Sequence, residues 1–594
     1  METISSTHTG EFTPEQQAYL AEFFAETAQH RTRPFVGLTA GGALTCDAAS
    51  GMANLAEPPE EMVHGTPLSD LSREERWKAE ENPLDIWDKL VAHADENRTP
   101  IADDVFRFKF HGLFYVAPAQ DSFMLRLRIP GGRLTSHQMR GIAEMAEAWG
   151  AGRADLTTRA NIQVRDFQPR DIVRVLTKVQ LLGLSSRGTG ADNIRNITAS
   201  PAAGLDPTEL LDVGPIAEAL HFYILNSRDL YDLPRKFNVA FDGGGPISVL
   251  AATNDIGFQA MRVADGRSVA PGIYFRVVLC GITGHKQFAT DSGLLVKPEQ
   301  AVAVAAAMIR VFIENGDRTD RKKARLKYLV DRWGVDRFIS ETEKRLAFPL
   351  LRYAADECEP RGPIDRAGHI GVHAQRQPDL NYIGVAVPVG RLPVQQMRAI
   401  GSIADEFGNA EIRLTVWQNL LIPNILTSRV AEALERLRAV GLDCTAGSVM
   451  RGTVACTGNR GCRYAATDTK AHAVEIAKIL DRRFPIMQPV NLHVTGCPHS
   501  CAQHYIGDIG LLGTKVAGEE GYQLVIGGGA DQDQALAREI ASPMRYADLV
   551  PALERLFEAY VEQRKPDESF LHFSCRHSTS ELQQLLVMKE TMAS

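Results

Sequence analysis

The sequence predicts an α+β protein made of two pseudo-equivalent halves. Three observations predict it: an internal repeat that aligns without a gap, a strand–helix–strand pattern in each copy, and a long α/β stretch after each copy. The repeat pairs GRLTSHQMRGIAEMAEAWGAGRADLTTRANIQV, from Gly132, with GRLPVQQMRAIGSIADEFGNAEIRLTVWQNLLI, from Gly390. Gly132, Arg133 and Leu134 match Gly390, Arg391 and Leu392. Gln138, Met139 and Arg140 match Gln396, Met397 and Arg398, and Leu156, Thr157 and Asn161 match Leu414, Thr415 and Asn419. So many identities in one register mark a duplicated structural unit.

In chain order, residues 1–105 carry a helical pattern in FTPEQQAYLAEFFAETA and then loop-rich sequence, read as an N-terminal extension wrapping the core. The first repeat unit occupies 106–188. In FMLRLRIP, Leu125, Leu127 and Ile129 alternate with Arg126 and Arg128, the period of a strand. Thr135 or Ser136 caps a helix whose apolar stripe is Met139, Ile142, Ala143 and Ala146, and Gly150 stops it. An α/β stretch follows over 189–365, with the turn FDGGGP at 241–246 and the strand-like IYFRVVLCGI at 273–282. The second unit, 366–444, starts its helix near Pro393, repeats the stripe as Met397, Ile400 and Ala404, and stops at Gly408. The last stretch, 445–594, contains a cluster of cysteines.

The chain has 594 residues, 44% hydrophobic and 23% charged, the profile of a globular protein with more than one core. A net charge of −8 argues against nucleic acid as a partner. The start METISSTHTGEFTPEQQ lacks the basic and apolar regions of a signal peptide. The most apolar run, AVAVAAAMIRVFI from Ala301, is interrupted by Arg310 and too short to span a bilayer. A cytoplasmic protein with no membrane partner is expected.

Four of the nine cysteines cluster, in CTGNRGC and CPHSC: Cys456, Cys462, Cys497 and Cys501. Cys46, Cys280, Cys358, Cys444 and Cys575 are scattered and expected to be small buried apolar residues. Four thiolates suit zinc or an iron–sulfur cluster. Neither the C-x5-C nor the C-x3-C spacing is the C-x2-C knuckle of zinc ribbons, which favours a [4Fe–4S] cluster.

VACTGNRGCRYA together with HVTGCPHSCAQHYIGDIGLLG resembles the cluster motif of the sirohaem-containing nitrite and sulfite reductases, most of all the ferredoxin-dependent assimilatory nitrite reductases. The resemblance covers roughly residues 106–577. It implies two ferredoxin-like half-domains plus two α/β domains that bind sirohaem and the cluster. It puts all four clustered cysteines on the cluster and gives Cys501 a second role, as the ligand shared with the sirohaem iron. It implies substrate-side roles for Arg126, Arg195, Lys236 and Asn238, where cations bind a small anion and supply protons. Arg159 matches a family arginine that contacts sirohaem, with Gln163 near it. Arg321, Arg325 and Lys327 match a basic segment suited to sirohaem carboxylates, and Gln418 and Asn419 match a pair of amide donors.

Asn238 carries the choice of substrate. Sulfite reductases of the family usually have K-x-K where this chain has KFN. One cation fewer suits monoanionic nitrite better than dianionic sulfite. The expected reaction is six-electron reduction of nitrite to ammonium; sulfite reduction is the alternative. A porphyrinoid monooxygenase on the same scaffold and a zinc-stabilised binding protein are the more remote readings. No G-x-G-x-x-G fingerprint precedes a helix, so electrons are expected from a separate ferredoxin-type carrier. Arg460, Arg463 and Lys470 are candidates for its docking patch.

Overall fold

The computed structural model describes residues 61–587. The helical pattern of residues 12–28 and Cys46 lie outside the described residues.

The repeat becomes two five-stranded antiparallel sheets. The first runs Arg391–Pro393, Arg153–Leu156, Ile162–Phe167, Ser122–Arg126, Leu113–Val116. The second runs Arg133–Thr135, Glu411–Leu414, Leu420–Leu426, Leu380–Val385, Gly371–Ala374. Each half-domain thus lends one short strand to the other's sheet: Arg391 pairs with Asp155, and Arg133 pairs with Arg413. The crossing points need glycine. Gly132 has φ +73°, and a Cβ there would lie 2.6 Å from the Leu414 carbonyl oxygen; Gly390 has φ +72° and the same conflict, at 2.5 Å, with Leu156.

The offset that takes Arg133 to Arg391 holds from the first strand of each sheet to the helices Ile172–Leu181 and Val430–Ala439. It even carries left-handed residues onto left-handed residues: Asp121 onto Asp379, Ala160 onto Gln418, Asp166 onto Asn424. The expected helices are Ser136–Trp149 and Val394–Phe407. Thr135 and Gln138 form a capping box at the first, and Pro393 takes the capping position of the second. The two helices pack on each other, flanked by the equivalent ion pairs Arg140–Asp405 and Arg398–Glu147. The half-domains share one hydrophobic core, in which Leu125, Met139 and Ile162 join Ile383, Met397 and Leu420.

The two α/β domains repeat a second motif, each around its own core. In the first, strands Thr198–Ala199, Val239–Asp242 and Ile256–Val263 are parallel, and Gly272–Leu279 and Thr290–Val296 continue antiparallel. In the second, Thr453–Ala455, Leu492–Thr495 and Ile509–Val516 are parallel and Glu519–Ile526 turns back. Helices Gly214–Asn226 and Thr469–Arg483 make the first crossover of each, as parallel pairing requires. The apolar run from Ala301 is the buried helix Ala301–Asn315, and its Arg310 reaches Asp229 and the Tyr223 hydroxyl. Among the described residues no helix is long and apolar enough to cross a membrane.

Candidate active site

The cysteines sit where parallel α/β sheets place ligands, beyond the carboxyl ends of the strands. Cys456 directly follows Thr453–Ala455, and Cys497 lies just past Leu492–Thr495. Donors surround the sulfurs. The Gly496 N–H donates to Cys456 Sγ at 3.2 Å, the Thr469 hydroxyl lies 3.5 Å from the same sulfur, and His499 Nδ1 lies 3.4 Å from Cys497 Sγ. Burial, reinforced by Cys501, Cys462 and Cys456, pushes the Cys497 thiol up to about 12. The four thiols therefore face one another. Yet among the described residues no three His, Cys, Asp or Glu side chains gather tightly enough for a single metal ion. Soft donors, mutual proximity over a wider space and hydrogen bonds to sulfur fit a [4Fe–4S] cluster better than zinc.

Cys501 is exposed, but at the bottom of a cleft: burial and then Cys456 raise its thiol pKa, while Lys236 and Arg126 oppose them. Both halves meet at this residue. The Thr158 hydroxyl, from the first half-domain, donates to the Cys501 carbonyl at 3.1 Å, and Gln503 Nε2 donates to the Thr253 hydroxyl at 3.1 Å.

Around the cleft stand four cations that have no carboxylate in ion-pair range among the described residues. Arg126, on strand Ser122–Arg126, lies over the Phe114 ring at 4.4 Å and donates to the Thr189 carbonyl at 3.1 Å. Arg195 donates to the Ala191 carbonyl at 2.7 Å. Arg159 donates to the Asn196 carbonyl at 2.6 Å and to Asn254 Oδ1 at 2.8 Å. Lys236 makes no side-chain hydrogen bond among the described residues. Burial lowers the pKa of each: Arg126 and Arg159 to about 10, Lys236 to about 7, and Arg195 well below its usual value with Arg126 adding to the effect. The negative charge of a Cys501 thiolate works the other way on Arg126 and Lys236. Half-buried positive charge without a close carboxylate, its arginines steadied by carbonyl oxygens, has the chemistry to take an anion.

The other expected residues are engaged within the protein. Asn238 is half-buried, and its backbone N–H donates to Asp255 Oδ2 at 2.8 Å. Gln163 pairs with Arg126 across the sheet, and its Oε1 accepts from Arg165 at 2.9 Å. Arg321 makes two bonds to buried Asp192, at 2.7 and 2.9 Å, and Arg325 three to buried Asp255. Lys327 pairs with Asp331 one helical turn on. Gln418 and Asn419, expected as amide donors to a macrocycle, are used by backbone. Gln418 holds Ala455, next to Cys456, by both N–H (2.9 Å) and carbonyl (3.0 Å), and Asn419 holds Val387 at 2.8 Å. Their geometry here positions the chain leading to the first cysteine.

Lys470 is a correction. It was expected in a docking patch, but it is buried, bonded to the Val389 carbonyl and 3.1 Å from Asp155. Arg460 and Arg463 are exposed.

Several site residues escape the sequence reading. Arg165 donates to the Gly461 carbonyl at 3.1 Å and to the Thr457 hydroxyl at 2.8 Å, clamping the CTGNRGC loop to the first half-domain. Asn196 ties Ile129, Arg159 and Ala160 together. Arg128, almost fully buried, donates to the Gly188 and Ile194 carbonyls at 3.0 and 2.7 Å, and so holds the loop that carries Arg195. The repeat offered one signal: Arg165 falls opposite Pro423, as Arg159 falls opposite Trp417.

Comparison with known proteins follows the same division of the chain. A model of the nitrite and sulphite reductase 4Fe–4S domain matches residues 190–350 and 446–588, and one of the nitrite/sulfite reductase ferredoxin-like half domain matches 116–182 and 373–440. The chain belongs to the nitrite and sulfite reductase family. Its fold is that of two ferredoxin-like half domains and two 4Fe–4S domains, and its cofactor is sirohaem with a [4Fe–4S] cluster. A ferredoxin–nitrite reductase of Leptolyngbya laminosa is 36% identical over 82% of this chain and 96% of its own length. The chloroplastic ferredoxin–nitrite reductase of Spinacia oleracea is 32% identical over 84% and 88%. The structure of the Mycobacterium tuberculosis NirA protein superposes with a TM-score of 0.79 at 26% identity, over 86% of this chain and 97% of that one.

Proposed function

We propose that this sirohaem reductase converts nitrite to ammonium, taking six electrons one at a time from a ferredoxin-type carrier. The observation that carries the reading is the set of four half-buried cations beside Cys501 that have no carboxylate partner among the described residues. With bound sirohaem and cluster supplying the reducing electrons and the metal on which the anion is held, the chain's residues have three tasks. Cys456, Cys462, Cys497 and Cys501 would hold the cluster, and Cys501 would serve the sirohaem as well. Arg159 would hold the macrocycle's carboxylates. Arg126, Arg195 and Lys236 bind the oxyanion, and Lys236 at about 7 both gives and regains protons near neutral pH, as loss of the two oxygens as water demands.

Asn238 supports nitrite over sulfite, because a neutral amide beside Lys236 leaves the site one charge short of what a dianion rewards. The names of the relatives support the same choice. Exposed Arg460 and Arg463, on the loop between the first two cysteines, are the proposed contact for an acidic carrier.

Steady-state reduction of both anions by purified holoenzyme tests the assignment. Nitrite should have the higher kcat/KM, and Asn238→Lys should move the ratio toward sulfite by about tenfold, one ion contact's worth. A wild type that prefers sulfite would overturn it. Charge reversal at Arg460 and Arg463 should raise the carrier's KM at low salt only.

A further inference from the structure

One more cation stands near this site and belongs to none of the groups so far described. Lys109 lies on the short 3-10 segment Phe108–His111, half-buried against the loop that carries Arg195. Gly190 makes the approach possible: a Cβ there would sit 2.7 Å from Lys109 Cβ and 2.6 Å from the Phe114 ring. That ring carries the Arg126 guanidinium, and the next residue, Ala191, accepts the Arg195 hydrogen bond. Lys109 is therefore packed on the same two elements that hold Arg126 and Arg195.

Its charge has no contact partner among the described residues, and Asp192 answers it only through space. Among the described residues no carboxylate pairs with the Lys109 ammonium and no side-chain hydrogen bond holds it. The nearest acid, Asp192, is taken by Arg321 and faces Arg235 at 3.6 Å. Of the charged groups around Lys109, exposed Arg463 acts on it most, then Asp192, then half-buried Arg195.

We propose that Lys109 is the entry cation of the site: it receives the incoming oxyanion from the rim at Arg463 and passes it to Arg195 and Arg126. A line of positive groups, from exposed Arg463 to half-buried Lys109, Arg195 and Arg126, focuses field into a cleft of an otherwise acidic protein and raises the rate at which anions reach the bottom. Burial, with Arg463 adding to it, lowers the Lys109 pKa to about 8, so the ammonium predominates at neutral pH while staying easy to neutralise by a bound anion.

This inference rests on the nitrite reading, and its test separates the two. Oxidised holoenzyme is titrated with nitrite, and in parallel with sulfite, by its visible spectrum; association is followed by stopped flow at rising ionic strength. Lys109→Gln should raise the nitrite Kd about 5- to 20-fold and flatten the salt dependence of association, with kcat at saturation within about twofold. Lys109→Arg should restore both. Removing an unpaired cation strands no carboxylate, so the variant keeps the fold. A Lys109→Gln enzyme with full sirohaem and unchanged Kd and salt dependence overturns the proposal. So does one that loses sirohaem, which would make Lys109 a holder of the macrocycle. If wild type binds sulfite but not nitrite, the nitrite reading fails, and the sulfite titrations of wild type and Lys109→Gln decide Lys109 alone.

Discussion

At equivalent positions the two half-domains carry opposed chemistry. Arg126 stands where the other half has Gly384, Asp155 where it has Arg413, Arg159 where it has Trp417, Gln163 where it has Leu421. The first half turns polar side chains toward the cleft and the cysteine loop. Opposite Arg159 the second half places a packed ring. Trp417 stacks on His369 at 5.7 Å, meets His493 edge-on at 6.0 Å, and donates its indole N–H to the Ser248 carbonyl. Burial keeps His369 and His493 at about 4, hence neutral at physiological pH, in keeping with a packing role. The backbone repeats down to its left-handed residues, so the difference lies wholly in side chains. In a duplicated scaffold, the positions that fail to repeat mark the site.

The strongest way to break this contrast is to make the first half resemble the second. Arg159→Trp should abolish sirohaem retention and lower nitrite reduction by at least about a hundredfold, read by absorbance and activity together. If the variant keeps sirohaem, Arg159 is not the residue that separates the halves.

Asp155→Asn comes next. Against the penalty of its burial, Lys470, Arg165 and Arg391 hold the Asp155 carboxyl well below the usual range. Removing its charge leaves Lys470 and Arg165 buried and unpaired, which costs about 3–5 kcal/mol in denaturant unfolding. Because the folded pKa is depressed, this contribution is present above the unfolded-chain value of about 4 and lost as pH falls toward the folded one. The wild-type advantage over Asp155→Asn should therefore shrink below about pH 4.

Trp417→Phe should cost about 1–2 kcal/mol, the effect of leaving the Ser248 carbonyl unpaired in a buried place, with nitrite reduction unchanged. A large loss of activity would show that the second half also serves the chemistry. The smallest effect belongs to the ion pairs that do repeat. Arg140→Ala and Arg398→Ala should give melting temperatures indistinguishable from each other and from wild type, since both pairs are solvent-exposed.

The repeat, its helices and the four-cysteine cluster were legible because they are local: a spacing, a stripe, a cap. What pairs across long sequence distances was not. Nothing in GRL announces that Arg133–Thr135 joins the other half's sheet, since strand partners are chosen by tertiary packing. Lys470 looks like a surface base in TDTKAHA, yet its stem lies in the wall between two domains and its ammonium meets Asp155. Asp192 and Asp255 are single acids in unremarkable loops, recognisable only when Arg321 and Arg325 come to rest on them. Residue type alone suggests amide donors at Gln418 and Asn419, but not that the Gln418 amide, on a left-handed residue, bonds to Ala455.

The exchanged strands have a consequence for how the molecule is assembled. A chain cut between the halves would yield two fragments, each missing the edge strand that finishes its sheet and each holding a strand with no sheet of its own. Neither fragment is a self-sufficient folding unit, but each is the other's missing piece. Co-expressed fragments should therefore recover a protein that neither forms alone. In the intact chain, loss of either half should bring down both, so unfolding of the paired half-domains proceeds as one cooperative event.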